Sequence, residues 1–475
     1  MFKSQSMFIQ QLYTGCLSEA AYYIESNGEA AVVDPLRDID DYLQIAHERK
    51  TTIRYIFETH FHADFVSGHI DLAKATGATI VYGPGTVTKF PVHIAKDGDV
   101  FKIGDLSMNV LHTPGHTLES TCYLLQDELG KDHCVFTGDT LFVGDVGRPD
   151  LAQKDDNLTM NDLAGMLFES LQKKIIPLAD DVIVYPAHGA GSSCGKNLGP
   201  DTYSTIGDEK NFNYALKQQT KAGFIKAVTD GLTEPPQYFA LNAKINKEGY
   251  ESLDNVLEHG LTPLSITAFK EWINKDAIIV DTRQAEIFAD GFVPGSISIG
   301  LEGRFAEWAG SLLSFDAPVI LVTEPGREKE TIIRMARVGF DKIKGYLNGG
   351  YEAWQKSGEE IDLIINVEAD ELMMDIPFDD NLMIIDVRKP VEFAEGHVKD
   401  ALNIPLNDLN DPANMANIGE ENNVYVHCAG GYRSVIASSL LKRQGIHNIR
   451  NVTGGWDKIK EQEKVEIVKE KSVLN

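Results

Sequence analysis

Apolar residues in the first half of the chain come in short runs, and most runs end on a polar cluster. Ile53-Arg-Tyr-Ile-Phe57 reads as a short buried strand. Thr79–Tyr82, Met108–His112, Cys122–Leu125, His133–Phe136 and Val182–Tyr185 have the same character. Residues 20–34 predict two strands joined by a tight Asn27-Gly28 turn. Helical spacing covers Ile39–Lys50 and Leu158–Lys174. Strands and helices alternate in this way up to residue 235, where Glu234-Pro-Pro236 interrupts the pattern and a linker over 236–262 is expected.

The pattern then runs through twice. Ile279-Val-Asp-Thr-Arg283 and Ile384-Ile-Asp-Val-Arg388 align at an offset of 105 residues. The same offset pairs Phe288 with Phe393, Gly291 with Gly396, and Gly349-Gly350 with Gly454-Gly455. A period of that size is a duplicated domain, not a solenoid. Each copy alternates buried strands with helices, which predicts a parallel α/β sheet. The expected organisation is 1–235, a linker at 236–262, a first copy at 263–361 and a second at 362–475.

The polar clusters carry the candidate chemistry. Thr59-His-Phe-His-Ala-Asp64 follows one strand, Thr113-Pro-Gly-His-Thr117 another, Thr137-Gly-Asp139 a third and Pro186-Ala-His188 the last. A single histidine at a strand end is usually a turn residue. Four strands that each deliver His or Asp to one rim predict a shared metal site. His60, His62 and Asp64 alternate, so in extended backbone they face one side.

In the second copy, His427-Cys-Ala-Gly-Gly-Tyr-Arg-Ser434 places Cys428 at a strand end, before a glycine-rich loop and a helix. Backbone N–H groups and the helix dipole there are expected to lower the thiol pKa and hold an anionic persulfide. The first copy has Thr323 opposite Cys428 and Glu328 opposite Arg433, so its centre is broken.

Composition narrows the field. A net charge of −27 argues against nucleic acid or an anionic membrane as partner. No apolar run reaches the roughly 18 residues of a membrane span, and the start lacks a signal-peptide core. Five scattered cysteines suit a reducing cytoplasm with free thiols.

Residues 1–235 resemble the metallo-β-lactamase fold, and more narrowly the persulfide (sulfur) dioxygenases. The motifs are Thr-His-Phe-His-Ala-Asp at 59–64, Thr-Pro-Gly-His-Thr at 113–117, Thr-Gly-Asp at 137–139 and Gly-Arg-Pro-Asp at 147–150. The resemblance implies an αββα sandwich and one iron held by His60, His116 and Asp139. Two imidazoles and a carboxylate suit non-haem Fe(II) with open positions for substrate and O₂. His62, Asp64 and His188 are expected behind those ligands, orienting them or bound water, the alternative being that they ligate.

A dinuclear zinc hydrolase of the same fold needs a ligand directly after Asp64, and Phe65 cannot be one. Zinc thioester hydrolysis of the glyoxalase II kind is therefore the alternative reading, with Zn in place of Fe(II). A non-catalytic sulfur carrier or sensor is another. Arg148 is expected either to hold a carboxylate of the thiol carrier or to pair with Asp150. Cys194, near Lys196 in a small-residue loop, is a candidate thiolate that relays sulfur, or a bystander.

The second copy resembles the rhodanese sulfurtransferases, whose loop has the form Cys-x-x-Gly-x-Arg. Cys428 would be the sulfur carrier, with Arg433 at the end of its loop. The resemblance extends to the first copy as an inactive rhodanese-like domain. Together these imply oxidation of a low-molecular-weight persulfide, on glutathione, coenzyme A or another thiol, by O₂ to sulfite. Rhodanese transfer would then interconvert sulfite and thiosulfate in sulfide detoxification. A homo-oligomer without membrane or nucleic-acid partners is expected.

Overall fold

The computed structural model describes residues 7–152, 158–232, 234–409, 411–415, 418–419 and 421–470. The polar start Met1–Ser6 lies outside them. The chain forms two compact units: Met1–Leu253 with Met335–Gly339, and Asp254–Arg334 with Phe340–Asn475.

The first unit is built on two six-stranded sheets. One runs, in spatial order, Phe8–Thr14, Glu19–Ser26, Glu29–Val33, Thr52–Phe57, Thr79–Tyr82 and His93–Ile94. Its first three strands pair antiparallel and the rest parallel. Asn27 and Gly28 both take positive φ, 48° and 81°, as a tight hairpin between right-twisted strands requires. The other sheet runs Ser204–Thr205, Ile183–Pro186, Asp132–Gly138, Thr121–Gln126, Leu106–His112 and Val100–Ile103.

Side chains alternate along the strands and are buried on both faces. Tyr22 and Ile24 join Phe57, Val81, Met108, Val110, Tyr123 and Phe136 between the sheets. Ala21 and Tyr23 instead meet Tyr42, Ala46 and Leu72 of the helices Asp40–Arg49 and His69–Thr76. Helices Met160–Ser170 and Lys221–Thr229 cover the opposite face through Leu163-side neighbours Ala164 and Leu167 and through Phe224 and Val228. This is the expected αββα sandwich.

The stretch expected as a linker contains helices. Phe239–Glu248 and Leu253–Gly260 are both helices. The polar run after the Pro pair is anchored by a buried amide. Asn246 is fully buried; its Nδ2 donates to the carbonyls of His62 and Phe65, each at 2.8 Å, and its Oδ1 accepts from Ser67 N–H at 2.9 Å. A stretch that looks like a spacer therefore fixes the loop that carries the histidines.

The second unit holds two five-stranded parallel sheets of matching order. One runs Pro263–Leu264, Ile343–Leu347, Val319–Val322, Ile278–Asp281, Ile297–Ser298; the other runs Ile365–Val367, Ile449–Val452, Asn423–His427, Leu382–Asp386, Leu402–Asn403. The aligned Asp-x-Arg of each copy is a buried clip. Arg283 Nε lies 2.9 Å from Asp281 Oδ1 and its Nη2 donates to the Gly291 carbonyl at 3.0 Å. Arg388 Nε lies 3.0 Å from Asp386 Oδ1 and its Nη2 reaches the Gly396 carbonyl at 2.8 Å.

Asn246→Ala is expected to leave three buried backbone groups without partners and to destabilise the first unit by about 3 kcal/mol. Chemical denaturation followed by tyrosine and tryptophan fluorescence measures this, and unchanged stability would show that the loop holds itself.

Candidate metal centre and cysteine loop

The centre is built at the strand ends of the sandwich. His60, His116 and Asp139 bring one ligand atom each to within 4.8 Å of one another, and all three are buried. His60 Nε2 lies 3.7 Å and His116 Nε2 lies 3.3 Å from Asp139 Oδ2. A metal bonded at about 2.0–2.2 Å sets its ligand atoms roughly 3 to 3.5 Å apart.

The outer atom of each ligand is fixed by a hydrogen bond. Asp34 accepts from Thr59 N–H and from Thr59 Oγ1–H, both at 2.8 Å. With its proton given to Asp34, the Thr59 hydroxyl accepts from His60 Nδ1–H at 3.0 Å. The Arg148 carbonyl accepts from His116 Nδ1–H at 2.9 Å. Both imidazoles are thus in the tautomer that leaves Nε2 bare.

Asp139 Oδ1 is taken by His188 Nδ1 at 2.8 Å. The remaining atoms, His60 Nε2, His116 Nε2 and Asp139 Oδ2, are buried with no hydrogen-bond partner. Three lone pairs facing one another in a dry pocket call for a cation, so the donor set fits the metal that the fold implies. Gly147 passes so close that a Cβ there would meet the Asp139 carbonyl at 1.9 Å and His116 Nδ1 at 2.8 Å.

Electrostatics prepare the same set. Burial, with the neighbouring His62, pushes the His60 pKa well below its usual value, and burial lowers that of His116. Burial alone would raise the Asp139 carboxyl, but His188 and His60 outweigh it and hold it well below the carboxylate range. Two neutral imidazoles and an ionised carboxylate are the ligating forms. His188 goes the other way. Burial opposes its charge, yet Asp139 and Asp64 raise its pKa well above the usual value.

The three residues expected behind the ligands divide between two further clusters. His62 turns to Asp34 Oδ1 at 3.0 Å and Glu58 Oε2 at 3.7 Å. Asp64 Oδ2 meets His188 Nε2 at 2.8 Å, and Cys194 joins that pair. Phe65 is fully buried, with its ring centroid 4.3 Å from that of His62. Sequence reading missed Asp34, Glu58 and Thr59. The signal for Asp34 was an acid at a strand end, in Val32-Val-Asp34.

Arg148 makes the Asp150 pairing that was one of its two expected roles: its Nε and Nη2 pair with Asp150 at 2.7 and 2.8 Å, and Nη1 donates to the Ser193 carbonyl at 3.1 Å. A guanidinium committed in this way is a loop brace. Cys194 is not activated by Lys196, whose ammonium reaches the carbonyls of Ala227 and Asp230. Burial, with Asp64 and Asp139 nearby, pushes the Cys194 thiol well above its usual value, so it is no standing thiolate.

In the second copy Cys428 is buried at the end of Asn423–His427. Gly431 N–H donates to its Sγ at 3.1 Å, and Ser434 Oγ lies 3.7 Å away. Gly431 caps helix Tyr432–Arg443 with φ 110°, a conformation that glycine adopts without a steric penalty. Arg433 makes a bidentate pair with Glu392, at 2.7 and 2.8 Å.

In the first copy the broken centre sits in the corresponding place. A Cβ on Gly350 would meet the Thr323 carbonyl at 3.1 Å, as one on Gly455 would meet the Cys428 carbonyl at 2.4 Å. Arg327 fills that loop with ion pairs to Glu302 and Glu330 at 2.9 and 2.8 Å.

Thr59→Val is expected to release the His60 ring and weaken metal binding about tenfold or more. Metal retained against a graded chelator series measures it; retention equal to the parent protein would mean that the ring is held by packing alone.

Comparison with known proteins supplies the family. Residues 14–188 match the Metallo-beta-lactamase superfamily, and residues 265–357 and 368–462 each match the Rhodanese-like domain. The probable hydroxyacylglutathione hydrolase glo2 of Schizosaccharomyces pombe is 29% identical over 38% of this chain and 75% of its own. A crystal structure of a metallo-beta-lactamase from Staphylococcus aureus subsp. aureus COL is 33% identical, with a TM-score of 0.66 over 72% of this chain and 99% of that one. ETHE1 from Myxococcus xanthus is 29% identical over 50% of this chain and 98% of its own, at a TM-score of 0.43. The sandwich, its buried histidine and aspartate set, the two family models and the Staphylococcus aureus structure agree: the chain belongs to the metallo-beta-lactamase superfamily and continues through two Rhodanese-like domains.

Proposed function

We propose that this protein is a persulfide dioxygenase coupled to a rhodanese sulfurtransferase, working in a reducing cytoplasm. The observation that carries the reading is the set of three bare, buried atoms on His60, His116 and Asp139, in one chain with a glycine-loop cysteine. An Fe(II) ion bound by those atoms would supply the activation of O₂ and the oxidation of sulfur. The protein's own residues do the rest at that centre. Thr59 and the Arg148 carbonyl keep the imidazole protons on Nδ1, His188 holds Asp139, and Phe65 helps keep the surroundings dry.

The overall reaction balances as R–S–S⁻ + O₂ + H₂O → R–S⁻ + SO₃²⁻ + 2 H⁺. At Cys428 the thiolate attacks the outer sulfur of a donor persulfide. Its S–S bond breaks, R–S⁻ leaves, and Cys428–S–S⁻ remains, with Gly431 N–H positioned to donate to the loop sulfur. Sulfite then takes that outer sulfur as S₂O₃²⁻ and returns the Cys428 thiolate. The reverse sequence uses thiosulfate as donor. The first copy, with Thr323 in place of the cysteine, has no carrier of its own.

A second reading, zinc-dependent thioester hydrolysis, is favoured by the buried Asp64–His188–Cys194 cluster beside the first and by the name of the fission-yeast relative. Metal analysis and turnover separate the two. Iron with O₂ uptake on glutathione persulfide or coenzyme A persulfide supports oxidation; two zincs with hydrolysis of a hydroxyacyl-glutathione thioester supports the alternative.

Cys428→Ser is expected to reduce thiosulfate formation to background while sulfite still appears with undiminished O₂ uptake. Loss of O₂ uptake in that variant would refute the division of labour between the two sites.

A further inference from the structure

Behind the first centre, two neighbouring strands end together on acids. Val33 of Glu29–Val33 pairs with Phe57 of the parallel strand Thr52–Phe57, so the residues that follow, Asp34 and Glu58, emerge side by side. Both are fully buried. Asp34 turns at a left-handed φ of 49°, which Asp tolerates at a steric cost. Each carboxylate is then oriented by a hydroxyl. Thr59 Oγ1–H donates to Asp34 Oδ2 at 2.8 Å, and Ser67 Oγ–H donates to Glu58 Oε1 at 2.6 Å.

His62 faces both acids. Its Nε2 lies 3.0 Å from Asp34 Oδ1 and 3.7 Å from Glu58 Oε2, and the three residues bring one ligand atom each to within 4.8 Å of one another. Neither ring nitrogen of His62 makes a hydrogen bond of ordinary geometry, nor does Glu58 Oε2. The spacings repeat the 3.3 and 3.7 Å of the first centre and match the roughly 3 to 3.5 Å between atoms that share a metal. A further imidazole approaches separately, from the helix His69–Thr76. His69 is fully buried, both its nitrogens are without a hydrogen bond, and its Nδ1 lies 3.6 Å from Glu58 Oε1.

No charge of the chain balances this cluster. Among the described residues, the ion-pair partners of Asp34 and Glu58 are imidazoles alone. Burial pushes the His69 pKa down to about 3, so that ring is neutral. Even a charged His62 leaves one of two buried carboxylates uncompensated, which is costly. Burial, with Asp34 beside it, raises the Glu58 pKa well above the usual carboxylate value. A proton taken up on Glu58 Oε2 would meet His62 Nε2 only at 3.7 Å, too far for a hydrogen bond. A cation answers all three atoms at once.

We propose that Asp34, Glu58 and His62 bind a divalent transition cation such as Zn²⁺, at a site separate from His60, His116 and Asp139. Two carboxylates and one imidazole suit a borderline ion, whereas Mg²⁺ and Ca²⁺ favour oxygen alone. The ion has a structural task. It fixes Asp34, which orders Thr59 and through it the His60 ring. The site stands whichever reaction the first centre runs.

The test uses the full-length protein, stripped with a chelator, reloaded with Zn²⁺ alone and passed over a chelating resin, with bound metal counted by atomic emission. Glu58→Gln keeps the side-chain shape and removes a ligand charge; it is expected to hold one ion per chain fewer than the parent. His116→Ala, which breaks the first centre, is expected to lose a different ion, so that the double variant loses two. An equal count in Glu58→Gln and the parent would overturn the proposal. A double variant that loses no more than either single would do the same, because both would then report one site. Asp64→Asn addresses the third cluster: if it and Glu58→Gln together lose only one ion, that ion belongs with His188 and Cys194, and the proposal fails.

Crystals of the zinc-loaded parent give an answer that does not depend on how a variant folds. Anomalous density among Asp34, Glu58 and His62 is expected. Density at His60, His116 and Asp139 without it would sink this site and leave the reading of the first centre standing. The reverse pattern would keep this site and remove the metal from the first centre.

Discussion

Three bare ligand atoms in a dry pocket are the constraint on which the first unit depends. Among the described residues nothing satisfies His60 Nε2, His116 Nε2 or Asp139 Oδ2, and an unpaired buried polar group is expensive. The surrounding chain is arranged so that these atoms have no other choice. Asp34 orders Thr59, and Thr59 orders His60; the carbonyl of Arg148 orders His116; His188 orders Asp139. Each link is itself buried. The close approach of Gly147 and the amide of Asn246 then follow as what it takes to bring four loops to one point. A cation is the element that turns this convergence of lone pairs from a penalty into a bond set.

Much of that was legible beforehand because strand ends announce themselves. A run such as Ile53–Phe57 followed by Thr59-His-Phe-His-Ala-Asp64 can be read locally, and the structure places the run where expected, as Thr52–Phe57. The groups missed, Asp34, Glu58 and Asn246, act across gaps in the chain. Asn246 reaches His62 from 184 positions away, and no local pattern records such a distance. The same limit hides the helices within the stretch read as a linker. Glu234-Pro-Pro236 is a real break, but the anchoring value of the polar residues behind it comes from whom they meet.

The duplicated half shows the converse. Offset alignment placed Thr323 opposite Cys428, and the two copies repeat strand order, the Asp-x-Arg clip and the glycine packed on the loop carbonyl. A scaffold that survives loss of its reactive residue must still do something for the chain. In the first copy Arg327 and its acids close the vacated loop, while segment 300–303 lies along Tyr432. One loop has become internally saturated and the adjoining surface has become part of another loop's surroundings.

Arginines were the residues whose roles sequence could least resolve, and the reason is physical. Arg148, Arg433, Arg283 and Arg388 each spend at least two guanidinium donors on a carboxylate of the chain. A planar fork matches a carboxylate in two parallel bonds, whether that acid lies two residues away, as for Arg148, Arg283 and Arg388, or on another helix, as Glu392 does for Arg433, so an internal acid competes well against an incoming one. In a chain with 71 acidic residues against 44 basic ones, such a competitor is rarely far.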